Sequence, residues 1–172
     1  MLKIAKLEEL SFLVYGLGIS GHSVVKFLRR NNVKKFKVWD DIELNLFKNY
    51  RTQNLSQYLN KVDYIILAPG ISLIKNKKLR KYKNKIITDI DLFYLANKKF
   101  KSIVVTGTNG KSTTCKLLAH LLKKNNYNFA LGGNIGTPIL DLRITKRCYI
   151  IIEASSFQLA HSQFIKPDYA FF

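Results

Sequence analysis

Residues 107–112, Gly-Thr-Asn-Gly-Lys-Ser, have the residue types that bind a nucleotide phosphate. Small residues turn backbone N–H groups inward, a lysine neutralises phosphate charge, and a hydroxyl reaches Mg²⁺. A cation at the start of a helix is favourable only when an anion is close by. The usual G-x-x-x-x-G-K-[ST] pattern would have its first glycine at residue 105, which is valine. The first glycine is instead Gly107, so the loop is shorter than usual. We predict a nucleotide-phosphate loop made of Gly107, Thr108, Asn109, Gly110, Lys111, Ser112 and Thr113.

A glutamate lies where a magnesium ligand is expected. Glu153 ends the apolar run 148–153, which is typical of a buried strand. Ligands of open α/β sheets bind at the carboxyl ends of the strands, and Mg²⁺ takes oxygen ligands. We therefore predict that Glu153 and Ser112 serve Mg²⁺. The alternative for Glu153 is a helix-capping or surface residue.

A further glycine turn, the first along the chain, lies near its start. Gly16-x-Gly18-x-x-Gly21 follows an apolar run and precedes an amphipathic stretch, and Asp40 comes about 20 residues later, as in a dinucleotide fingerprint. Free N–H groups near Ser20 suit a phosphate, and a carboxylate suits a ribose hydroxyl. The pattern indicates a site for NAD or for another nucleotide diphosphate. A tight turn without a ligand is the alternative.

Short apolar runs alternate with amphipathic stretches along the whole chain, which predicts parallel α/β layers. We expect a Rossmann-like N-terminal domain over residues 1–98 and an incomplete P-loop-type ATP-binding α/β domain over residues 99–172. Because the chain stops at the apolar Phe172, we expect it to be the N-terminal part of a longer protein. Strands are predicted over 12–16, 36–40, 62–70, 85–88, 102–107, 128–133, 148–153 and 168–172, and helices over 20–31, 89–97, 111–125 and 156–164.

Composition restricts the class of protein. The formal net charge is +18, and residues 75–85 are especially rich in lysine and arginine. No nucleic-acid-binding motif accompanies this charge, so we interpret it as a solvated surface with a compositional bias. The sequence has no apolar run long enough to span a membrane. Two isolated cysteines in a chain without a signal peptide indicate a cytoplasmic protein with reduced thiols. We expect a monomer that binds neither nucleic acid nor membrane.

Several motifs together carry a family resemblance. The segments VTGTNGKSTT (105–114), GGNIGTP (132–138) and IIEASSFQL (151–159) resemble the ATP-dependent Mur ligases of peptidoglycan synthesis. Within that family, GNIG and SSFQL resemble the branch that adds D-glutamate. GLGISG (16–21), APGI (68–71) and DIDLF (89–93) resemble the UDP-binding domain of the same branch.

The resemblance implies a specific chemistry. The γ-phosphate of ATP would pass to the carboxylate of UDP-N-acetylmuramoyl-L-alanine, and the amine of D-glutamate would attack the resulting acyl phosphate. Lys111 and Glu153 would be catalytic, and Asn134 would contact the muramoyl part of the substrate. The UDP moiety, rather than NAD, would occupy the first turn, held by Ile19, Ser20, Asp40 and Gly70.

The sequence also departs from the family pattern. A later segment with a metal-binding histidine, a carbamylated lysine and the domain that binds D-glutamate are expected beyond Phe172. We therefore expect the 172-residue chain to be inactive alone. Another Mur or folylpolyglutamate-type ligase, a non-catalytic nucleotide-binding protein and a Rossmann oxidoreductase remain as alternatives, and Lys111 argues against the last.

Overall fold

A computed structural model describes residues 7–42, 46–97, 100–145 and 147–172. Each glycine turn belongs to its own four-stranded parallel sheet. The domain boundary predicted near residue 99 lies outside the described residues.

The first sheet has the strand order β2-β1-β3-β4. It consists of β1 (Phe12–Tyr15), β2 (Phe36–Trp39), β3 (Tyr64–Leu67) and β4 (Ile86–Ile87), and its helices are α1 (Ile19–Arg30), α2 (Leu55–Lys61), α3 (Lys77–Arg80) and α4 (Asp89–Ala96). All four residues of β1 are buried, as expected for a central strand of a parallel sheet covered on both faces. Helix α1 turns Val24, Val25 and Leu28 toward this core and ends with two arginines, which complement its dipole.

The second sheet has the order β6-β7-β5-β8. It consists of β5 (Lys101–Val105), β6 (Phe129–Gly133), β7 (Tyr149–Glu153) and β8 (Tyr169–Phe171), with helices α5 (Lys111–Lys124) and α6 (Ser156–His161). Every strand pair is parallel, and β5 lies between β7 and β8. Strand β8 is an exposed edge, and Phe172 beyond it is fully exposed.

One apolar core is shared by the two sheets. Val14 and Ile66 of the first sheet belong to the same buried cluster as Val104 and Ile152 of the second. Polar contacts reinforce this packing, since Arg30 donates a 2.8 Å hydrogen bond to the carbonyl of Leu140. The sheets, and the glycine turns at their edges, are therefore packed as one body.

The predicted α/β fold with two parallel layers is confirmed, and strand and helix boundaries agree to within three residues. The predicted strands 102–107 and 148–153 are neighbours in one sheet. Helix 156–164 was predicted too long. It ends at His161 because Ser162 adopts an extended backbone, and Ser162 and Phe164 then donate hydrogen bonds to Asp91. Helices α2 and α3 have no counterpart among the predicted elements.

No helix in the described part of the chain is long and apolar enough to cross a membrane.

Candidate functional site

The predicted phosphate loop connects β5 to α5 at the carboxyl edge of the second sheet. Gly110 forms the N-cap of α5 with φ of +76°, a left-handed conformation that favours glycine. The side chain of Lys111 folds back over the loop, and its Nζ donates to the carbonyls of Gly107 at 2.8 Å and Thr108 at 3.1 Å. Its charge thus lies against the loop at the helix start.

Glu153 reaches this loop from the adjacent strand. In the β5–β7 pair Val105 is opposite Glu153, so the glutamate ends its strand level with the start of the loop. Its side chain is buried, with 3% exposure, and Oε2 accepts a 2.7 Å hydrogen bond from the hydroxyl of Ser112. A contact between residues 41 positions apart places the two predicted magnesium ligands side by side.

Gly133 brings the glycine-rich loop 132–138 close to Glu153. Its φ is +108°, and a Cβ there would lie 2.4 Å from the carbonyl oxygen of Glu153. The next residue, Asn134, donates its backbone N–H to that carbonyl at 2.8 Å and its side-chain amide to Glu153 Oε1 at 3.4 Å. Asn134 is therefore a direct neighbour of the carboxylate at the phosphate loop.

The side chains at this edge suit a hard cation. Ser112 and Glu153 offer neutral and anionic oxygens, and Mg²⁺ is commonly held by one or two protein oxygens together with substrate phosphates. Within the described residues no group of three or more His, Cys, Asp or Glu side chains could hold a metal by itself. Cys115, one turn along α5, stays a neutral thiol because burial and the charge of Glu153 raise its pKa to about 11.

At the first glycine turn, Asp40 holds the backbone in place. Its Oδ2 accepts the N–H of Leu17 at 2.6 Å, and its Oδ1 accepts the N–H of Ile42 at 2.9 Å. Gly18 is the N-cap of α1, so Ile19 and Ser20 form the first helical turn. Ile19 is 81% exposed, which leaves an apolar side chain at the mouth of the turn.

Gly70 lies on a neighbouring cleft of about 560 Å³ at the same edge of the first sheet. Tyr15, Trp39 and Asp41 also line the cleft, and the hydroxyl of Tyr15 donates to Asp41 Oδ1 at 2.7 Å. Burial of the phenol and its bond to Asp41 raise the pKa of Tyr15, so the hydroxyl stays protonated. Sequence reasoning missed this network because its members are far apart in the chain.

Comparison with known proteins identifies the family to which most of the second sheet belongs. Residues 105–172 match the family model of the Mur ligase middle domain. This segment belongs to that family. The phosphate loop, the Asn134 loop and Glu153 all lie within the matched residues, so the resemblance drawn from the sequence motifs is confirmed.

Similar proteins extend the match toward the start of the chain. Three are named UDP-N-acetylmuramoylalanine–D-glutamate ligase. That of Rickettsia prowazekii is 39% identical over 85% of this chain. Those of the Brugia malayi Wolbachia and of Francisella tularensis are 38% and 39% identical over 92% and 91% of it. The chain spans about a third of the length of these relatives, namely 34%, 34% and 35%.

The structure brings the predicted site residues together as two groups. In the first group, Ser112 and Asn134 both bond Glu153 at the phosphate loop, which also carries Lys111. The second group lies at the edge of the first sheet and consists of Ile19, Ser20, Asp40 and Gly70. Asp89 and Gln158, which join the two sheets by a 3.0 Å hydrogen bond, were given no role by the sequence. The Ser-x-x-Gln capping pattern at 155–158 is the signal that could have drawn attention to Gln158.

Proposed function

We propose that this chain supplies the nucleotide-binding parts of an ATP-dependent ligase that joins D-glutamate to UDP-N-acetylmuramoyl-L-alanine. The second sheet binds Mg²⁺ and ATP, and the first sheet binds the UDP moiety. The observation that carries the proposal is the 2.7 Å hydrogen bond between Ser112 and the buried Glu153, which sets a hydroxyl and a carboxylate beside a lysine-bearing loop. The names of the relatives support the choice of substrates.

On the ATP side, residues 107–113 wrap the phosphates with backbone N–H groups and the positive end of the α5 dipole. Lys111 leaves its two carbonyl partners to contact the β- and γ-phosphates, where its charge is most useful during transfer. Ser112 and Glu153 hold Mg²⁺, which supplies charge neutralisation at the phosphates.

The proposed reaction has two steps. The carboxylate of UDP-N-acetylmuramoyl-L-alanine attacks the γ-phosphorus, the bond to the bridging oxygen breaks, and ADP leaves with an acyl phosphate formed. The amine of D-glutamate then attacks the acyl carbon, loses a proton, and inorganic phosphate leaves as the amide forms. Asn134 lies beside Glu153 and is placed to orient the muramoyl carboxylate near the loop.

On the UDP side, Ser20 and the helix start at Gly18 face a phosphate, and Ile19 offers an apolar surface to the base or sugar. Asp40 holds the turn by accepting the N–H of Leu17, and Gly70 contributes from the neighbouring cleft. A UDP moiety fits this proposal better than NAD because the relatives act on a UDP-linked substrate. We further propose that the protein is a cytoplasmic monomer that functions without nucleic acid or membrane.

Calorimetric titration of the 172-residue chain tests the proposal. We expect UDP-N-acetylmuramoyl-L-alanine to bind more tightly than NAD, and a non-hydrolysable ATP analogue to bind in the presence of Mg²⁺. Tighter binding of NAD would contradict the proposed role of the first turn. No binding of the ATP analogue would contradict the role of the loop. In the gene product that contains these residues, phosphate release should require D-glutamate, and release with L-alanine or lysine instead would contradict the proposed specificity.

A further inference from the structure

A buried hydrogen bond joins the two sheets in the region between the two candidate ligand sites. Gln158 is 1% exposed and Asp89 is 4% exposed. Gln158 lies on α6, just after the strand that ends at Glu153, and Asp89 is the first residue of α4. Their side chains meet where Gln158 Nε2 donates to Asp89 Oδ1 at 3.0 Å.

The other end of the Gln158 side chain holds the loop that follows Glu153. Its Oε1 accepts from the backbone N–H and the hydroxyl of Ser155, both at 3.0 Å, and the hydroxyl oxygen of Ser155 in turn accepts the N–H of Gln158 at 3.1 Å. Ser155 is two residues from Glu153, and the intervening Ala154 is fully buried. The glutamine side chain is thus fixed relative to the end of β7.

Asp89, at the other end of the bond from Gln158, packs beneath the first glycine turn. It lines the packed space there together with Gly16, Ser20 and Gly21. The backbone N–H of Ile90 donates to the same Oδ1 atom that accepts from Gln158. Because burial raises the pKa of Asp89, the bond from Gln158 is one of the few contacts that favour its ionised form.

We propose that Gln158 is a positioning residue shared by the two sites, through which binding of one nucleotide tightens binding of the other. This inference rests on the proposed function of the two glycine turns. A ligand that fixes either turn also fixes one end of the Gln158–Asp89 pair, so the second ligand meets a site that is already ordered. The effect is reciprocal, because coupling between two binding equilibria is the same in both directions.

Calorimetry with both ligands on the 172-residue chain measures this coupling. The dissociation constant of UDP-N-acetylmuramoyl-L-alanine is determined with and without a saturating magnesium complex of a non-hydrolysable ATP analogue, and the converse titration is made as well. We expect each ligand to tighten the other by about fivefold or more, by the same factor in both titrations. A factor of one in the unmodified chain, with both ligands bound, would overturn the inference.

Three variants separate positioning from general damage. Gln158→Met removes both hydrogen-bonding ends at similar length and should bring the factor to about one. Asp89→Asn keeps an acceptor for Gln158 and should retain the coupling. Gln163→Met is the matched control, because Gln163 also bridges the sheets, to the carbonyls of Asn84 and Ile86, away from both sites. It should leave the factor unchanged.

The outcomes are distinguishable from failure of the proposed function. If neither ligand binds the unmodified chain, the proposed function fails. If both bind and Gln158→Met keeps the coupling, or Gln163→Met loses it equally, the inference fails. Circular dichroism shows whether Gln158→Met is folded. Should it be unfolded, Asp89→Ala removes the same bond from the other side and must lose the coupling that Asp89→Asn retains.

Discussion

The two glycine turns have the same backbone plan and different side chains. Each follows the central part of a parallel sheet and leads into a helix whose N-cap is a glycine, Gly18 in one and Gly110 in the other. At the first turn a carboxylate, Asp40, accepts one backbone N–H of the turn, from Leu17, and one from Ile42 in its own loop. At the second, Lys111 lies on the loop and the carboxylate of Glu153 bonds a hydroxyl.

Under the proposed function, this difference determines which of the two phosphate ligands each turn binds. Both turns offer backbone N–H groups and a helix dipole to an anion. The second carries a lysine within the loop itself, Lys111, and two oxygens suited to Mg²⁺, which a triphosphate requires. The first, with an acid as its fixed partner, suits a nucleotide diphosphate that brings no metal.

Lys111→Ala should have the largest effect on the contrast between the turns. Losing a charged hydrogen-bond donor to phosphate is worth about 1.5–3 kcal/mol, so affinity for the magnesium complex of the ATP analogue should fall about 10- to 100-fold. Affinity for the UDP ligand alone should stay within about twofold. Calorimetry measures both, with the exposed Lys116→Ala on the same helix as control. Equal losses at both sites would break the comparison.

Asp40→Ala should give the opposite pattern with a smaller effect. The N–H groups of Leu17 and Ile42 lose their acceptor, so the turn loosens and affinity for the UDP ligand should fall about tenfold, the equivalent of one charged hydrogen bond. Affinity for the ATP analogue should be retained. Glu8→Ala removes an exposed acid of the same charge and serves as control. Unchanged binding of the UDP ligand would exclude Asp40 from the site.

Glu153→Gln should remove the dependence on Mg²⁺ that is expected of the second turn and not of the first. The amide can still accept from Ser112, whereas the charge that Mg²⁺ prefers is gone. Titration of the ATP analogue with and without Mg²⁺ should show a large enhancement by the metal in the unmodified chain and about one- to twofold in the variant. Preserved enhancement would mean that Glu153 only orders the loop.

A pair of alanine substitutions tests the backbone of the two turns with the smallest effect. Both Gly18 and Gly110 are N-caps with open space around the missing Cβ, but φ is −70° at Gly18 and +76° at Gly110. Gly110→Ala should therefore lower the free energy of unfolding by about 1–2 kcal/mol more than Gly18→Ala, since only the former puts alanine in the left-handed region. Urea unfolding measures the difference, and equal losses would contradict the stated loop geometry.

The sequence predicted what depends on local pattern. Buried parallel strands are continuous apolar runs, and the lysine and serine after Gly110 indicated the helix start. Contacts between positions that are distant in the chain could not be predicted from the sequence. Nothing local pairs Tyr15 with Asp41 or Gln158 with Asp89, because those bonds depend on how strands order and sheets pack. The early end of α6 has the same cause, since buried Asp91 draws Ser162 and Phe164 out of the helix.

Simultaneous occupancy of the two turns is the most direct test of the account. The 172-residue chain is saturated with the magnesium complex of a non-hydrolysable ATP analogue and then titrated calorimetrically with UDP-N-acetylmuramoyl-L-alanine. The account predicts one UDP ligand bound per chain while the ATP analogue stays bound. Displacement of one ligand by the other would show a single shared site and would contradict the assignment of separate ligands to the two glycine turns.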